Sequence, residues 1–234
     1  MNRVSCVVFA VVMLISALSY AQKVDVGGLV QARYTDQQCE DADFTVKAAR
    51  VKLSMKVTDQ ITVVSQFDVA KEPNLLDAMI DYELSRLVTF RVGQFSLPFG
   101  FETQVSRYYL EAMDRSLVIS HLWNNGVSSP YIRDVGAMIM GRFKILEYRI
   151  AAVDGVGYNY VAPEAPPPGN IFPKWGTDNN NTKDIVGRIG MGVPMFAGLG
   201  FSFYEGKWAE GEDKKATAFD MYFDTGKIIF QLEH

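Results

Sequence analysis

Residues 75–94 read LLDAMIDYELSRLVTFRVGQ, and their pattern decides the fold. Leu76, Ala78, Ile80, Tyr82 and Leu84 fall on one side of an extended chain, and Asp77, Asp81 and Glu83 on the other. Ser85-Arg86 interrupts the run. Val88, Phe90 and Val92 then oppose Thr89 and Arg91. A period of two marks strands, and a short polar break between two such runs marks a hairpin. Each run is about ten residues, and one face is charged throughout.

The same alternation extends outward in both directions. Toward the N-terminus it covers Val24–Thr35, Phe44–Val57 and Ile61–Ala70. Toward the C-terminus it covers Ile132–Phe143, Leu146–Val153 and Asp184–Met195. It resumes around Leu199–Tyr204, Phe219–Asp224 and Ile228–Glu233. The sequence therefore predicts an all-β, antiparallel protein of about eleven strands.

Two architectures fit this pattern. A soluble sandwich or barrel buries the apolar face in a core. A transmembrane barrel turns it to lipid and lines a wet lumen with the polar face. Three features favour the membrane. The polar face is charged on nearly every strand. The runs approach the ~9–11 residues of a tilted membrane crossing, beyond the ~5–6 of soluble sheets. The connections also alternate in length. Tight turns fall at Asp59-Gln60, Ser85-Arg86, Lys144-Ile145, Phe196–Gly198 and Thr225-Gly226. The connections between them are longer: Asp36–Asp43, Lys71–Asn74, Phe95–Tyr131, Gly155–Lys183 and Ala209–Lys215. Aromatics at strand ends (Tyr34, Phe44, Tyr131, Phe143, Tyr148, Phe196) suit interfacial girdles.

Met1–Ala21 has the parts of an export signal. Arg3 is the basic start, Val4–Leu18 is apolar and uncharged, and Ser19-Tyr20-Ala21 supplies small residues for cleavage before Gln22. The run is short for a membrane anchor. Cleavage removes Arg3 and no acid, so the mature chain is more negative than the −4 of the whole. That balance gives no sign of nucleic-acid binding. Cleavage also removes Cys6 and leaves Cys39 alone, so no disulfide framework is expected. The domain reading is residues 1–21 as signal and 22–234 as barrel.

The long insert Phe95–Tyr131 exceeds a passive hairpin loop. Pro98 and Gly100 bend it, and Thr103–Val118 has helical spacing, which predicts a short helix. It is either a solvated outer loop or a segment folded inward to narrow a pore. Arg107 and Arg115, with Glu111 and Asp114, are the candidate constriction charges. Pairing among them at helical spacing is the competing reading. Candidate pore-lining cations are Arg33, Arg50, Lys52, Lys56, Arg91, Arg142, Arg149 and Arg188. Acids on the same faces roughly cancel them. His121 and His234 are the only histidines and have no nucleophile or ligand set beside them. No catalytic site, metal or cofactor is expected. Asp178 with Asn179–Asn181 is read as turn chemistry.

Gly93-Gln94-Phe95, Pro98-Phe99-Gly100-Phe101-Glu102, Ser106-Arg107-Tyr108 and Met113-Asp114-Arg115-Ser116-Leu117 together resemble the phosphate-selective porin O and P family. The resemblance implies an outer-membrane porin of about sixteen or more strands, homotrimeric, surrounded by outer-membrane lipid and passing small hydrophilic solutes or anions. Its phosphate-specific members use lysine-rich constrictions. No lysine lies between Phe95 and Tyr131 here, so the expectation is a general diffusion pore. A non-conducting barrel acting as adhesin or structural protein, and an outer-membrane barrel enzyme, are the alternatives. Eleven is odd, whereas single-chain bacterial barrels have even strand counts. The chain is therefore expected to be the N-terminal part of a longer porin, with its last strands missing.

Overall fold

The computed structural model describes residues 23–35, 43–70, 74–105, 132–155, 182–193, 196–209, 212–226 and 228–234. They form eleven strands: β1 (Lys23–Thr35), β2 (Asp43–Lys56), β3 (Ile61–Asp68), β4 (Asn74–Ser85), β5 (Val88–Ser96), β6 (Arg133–Phe143), β7 (Leu146–Val153), β8 (Asp184–Val193), β9 (Ala197–Ala209), β10 (Glu212–Asp224) and β11 (Ile229–Glu233). Each pairs antiparallel with its neighbour in sequence, giving one sheet in the order β1 to β11. β1 and β11 are its two edges and are not paired with each other.

The sheet is inside-out relative to a soluble core. Val26, Val30, Phe44, Ile80, Val92, Ile139, Phe143, Ile150, Ile189 and Phe201 are all exposed. Arg50, Asp77, Asp134, Asp184, Arg188, Lys214 and Asp220 are buried. In water the exposed aliphatic face would cost about 25 cal/mol per Å². A lipid surround removes that cost. Apart from β11 the strands run 8 to 14 residues, enough for most of them to cross a bilayer core.

Register carries the polar face from strand to strand. Thr62 lies opposite Asp81, Asp81 opposite Arg91, Arg91 opposite Met138 and Met138 opposite Ala151. Ala151 lies opposite Val186 and Val186 opposite Tyr204. Arg50, Asp81, Arg91, Arg149, Arg188 and Asp220 thus share one concave face.

Side chains cap the tight turns. Thr58 Oγ1 accepts from the N–H groups of Gln60 and Ile61 at 3.2 and 3.0 Å. Asp224 Oδ1 accepts from Gly226 N–H at 2.6 Å, where φ is +77°. These turns fall on one rim of the sheet, as expected.

The other rim departs from the sequence reading. Ala209–Lys215 is not a medium loop. β10 begins at Glu212, and Ala209 faces Glu212 across a tight hairpin. The length alternation is therefore not strict. Charges on both faces of Glu212–Lys215 mask the alternation, and packing of Lys214 on the concave side carries the strand through. Thr103 and Gln104 form a turn rather than the start of a helix. The rest of the expected helix lies outside the described residues.

Candidate functional site

The site is the concave face of the sheet together with the chain that leaves β5. At Ser96 that chain does not continue outward. Leu97 N–H donates to Ile132 O at 2.9 Å, and Gly100 turns with φ +72°. Gln104 N–H closes the turn on Phe101 O at 3.0 Å. Thr103 Oγ1 donates to Phe99 O at 2.5 Å, and Gln104 Nε2 donates to Leu97 O at 2.8 Å. Residues 97–104 are thus a compact knot held by its own side chains.

The knot docks on the far part of the concave face. Gly100 N–H donates to Ser202 Oγ on β9 at 3.0 Å. Phe101 N–H donates to Glu233 Oε1 on β11 at 3.2 Å, and Gln231 Nε2 donates to Glu102 Oε1 at 3.3 Å. The Phe101 ring stacks on Tyr222 of β10 with centroids 5.0 Å apart. Arg149 of β7 donates to Gln104 Oε1. Of the two readings of the insert, these residues adopt the inward one. Leu97 and Phe99 pack with Met138, Ala151, Val153, Val186, Tyr204 and Ala218 into a buried apolar cluster. That cluster fills the concave side of β6–β10 below the knot.

Ion pairs neutralise most of the wall cations. Arg50 Nε meets Asp68 at 3.0 Å, Arg91 Nε meets Asp81 at 2.7 Å, and Lys56 Nζ meets Asp59 at 3.3 Å. Arg142 meets Glu147 at 2.7 Å, and Arg149 meets it at 3.7 Å. Arg188 bridges Glu147 at 2.9 Å and Asp220 at 2.5 Å. Arg33 is half-buried at the long-loop end of β1. Lys52 is exposed on the face of Arg50. Arg107, Glu111, Asp114 and Arg115 lie outside the described residues.

Two links skip a strand. Arg188 on β8 reaches Asp220 on β10 over Gly200 of β9, where a Cβ would collide with both side chains. Asp184 on β8 reaches Lys214 on β10 at 2.7 Å over Gly206, where a Cβ would collide with the carboxylate. Tyr204 O–H donates to Asp184 at 2.6 Å. Lys214 Nζ lies 5.0 Å from the ring centroids of Tyr204 and of Trp208, which adds cation–π attraction. Sequence reasoning missed Gln104, Ser202, Lys214 and Glu233. The available signal was glycine on the polar face of β9, which clears space for a neighbour's long side chain. Among the described residues, no cluster of three or more His, Cys, Asp or Glu could hold a metal ion.

Residues 22–134 match the family model of the phosphate-selective porins O and P. That stretch spans β1–β5, the knot and the start of β6, and over it the chain is similar to this family of outer-membrane porins. The match and the single antiparallel sheet together support a porin-type channel in general. A search of curated proteins finds no match.

Proposed function

We propose that this chain forms the wall of a water-filled outer-membrane channel that passes small hydrophilic solutes by passive diffusion. One observation carries the reading. The aliphatic face of the sheet is exposed, while the charged face is concave and receives a chain segment folded onto it. A soluble sandwich has no use for that arrangement, and a narrowed pore does.

Ion pairing sets the expected selectivity. Rings of uncompensated charge select ions, and here Arg50, Arg91 and Arg188 each have a carboxylate partner. We therefore read the channel as weakly selective, with anions including phosphate among its solutes rather than as its sole cargo. Arg107, Glu111, Asp114 and Arg115 continue the docked segment in sequence and are proposed to complete the constriction. A homotrimer in outer-membrane lipid, reached by way of the Met1–Ala21 signal, is the proposed assembly and location.

Planar-bilayer recording of the detergent-extracted protein tests this. Stepwise conductance with a reversal potential near zero in a potassium chloride gradient is expected. A membrane that stays silent at high protein concentration overturns the channel reading and favours a structural barrel.

A further inference from the structure

The concave face has two unlike halves. Over β6–β10 it is filled. Val186 and Ala151 are almost fully covered by the cluster around Leu97 and Phe99. Added Cβ atoms at Gly190, Gly200 and Gly206 would meet charged side chains already there. Beside Gly27 on β1 and Lys52 on β2 it is open. Gly27 lies directly opposite Lys52, and a Cβ on Gly27 would meet nothing within 4 Å.

Charge divides the same way. The arginines of β7 and β8 are locked to Glu147, Asp220 and the knot residue Gln104. On β2, Arg50 is held by Asp68 and Lys56 by Asp59. Lys52 sits between them in sequence, is exposed, and faces Gln66 on β3 rather than an acid. Among the described residues it has no ion pair.

We infer that the solute path runs along the concave face of β1 and β2 at the height of Gly27 and Lys52, and that Lys52 is the wall cation passing solutes meet. Small anions are drawn to that height of the wall, and the arginine cluster on β7 and β8 is scaffold for the docked knot. This rests on the channel reading above and adds to it where in the wall the water runs. An unpaired ammonium beside open water acts on ions, whereas a guanidinium shared between two carboxylates presents little net field.

The test is single-channel recording of the full chain in a Cys39→Ser background. Lys52→Cys is treated with a negatively charged methanethiosulfonate, and Val186→Cys with the same reagent. The reversal potential of Lys52→Cys is expected to shift toward the cation value. Modification is expected to lower its conductance in discrete steps and to shift it further. Val186→Cys is expected to keep its conductance and reversal potential, because the apolar cluster covers it. Equal block of Val186→Cys overturns the assignment of the path. So does a Lys52→Cys channel whose mass shows full modification while conductance and reversal potential stay unchanged. If the parent protein carries no current, the channel reading itself fails, which is a different result from either of these.

Discussion

Arg188 on β8 and Asp220 on β10 hold each other at 2.5 Å although β9 runs between them, and Gly200 is the residue that lets them meet. Both side chains are buried on the concave face. A buried pair of this kind stabilises little on its own, but it is strongly destabilising to break.

Gly200→Ala is therefore expected to push the pair apart and destabilise the sheet by on the order of 3 kcal/mol. Gly198→Ala is the matched control. A Cβ there meets backbone only at ordinary contact distances of 3.6 and 4.0 Å, so its effect is expected within about 0.5 kcal/mol. Urea unfolding from detergent micelles or lipid vesicles reads the difference as a shift in midpoint.

The Asp184–Lys214 link is expected to behave as a coupled unit. Lys214→Met leaves a fully buried carboxylate without its cation, a loss of about 3–5 kcal/mol. Adding Asp184→Asn removes the stranded charge and keeps an acceptor for the Tyr204 hydroxyl. The double variant is expected to be more stable than Lys214→Met alone, and a double-mutant cycle gives the coupling.

Loosening the knot is expected to widen the channel. Ser202→Ala removes the acceptor for Gly100 N–H, and Glu233→Ala removes that for Phe101 N–H. At about 1 kcal/mol for each bond, the two together release a large share of the docking energy. Larger and noisier single-channel conductance is the predicted outcome. An unchanged trace would show that the knot does not border the current path.

The outward face tolerates charge least. Val92 is exposed on that face, and Val92→Arg is expected to cost about 2–4 kcal/mol if it lies near the bilayer midplane. Gln66→Arg on the concave face is expected to change stability by less than about 0.5 kcal/mol. Folding yield into vesicles, read by the heat-modifiable shift on a gel, separates the two.

Strand number and face were legible in the sequence because a period of two is a local property. Ile80 against Asp81, or Phe90 against Arg91, needs no partner to be read. The β9–β10 hairpin was not legible, since Glu205, Lys207 and Glu212–Lys215 put charge on both faces. The Asp184–Lys214 and Arg188–Asp220 links depend on register across an intervening strand, and single-strand patterning cannot supply that. Pro98 and Gly100 announced a bend after Phe95 but not its direction. The direction is set by Ser202, Tyr222 and Glu233, more than a hundred residues later.

That separation gives the knot a place in time. Gly100 meets Ser202 across 102 residues of chain, and Phe101 meets Glu233 across 132. Contacts this remote close late, because the chain between them must first be ordered. Leu97 and Gln104 can find Ile132 and Arg149 sooner, but the far docks of Gly100 and Phe101 need β9 and β11 in the sheet. On the channel reading proposed above, the bore reaches its final width only when these long-range contacts close, so its width depends on completed folding as well as on the residues that line it.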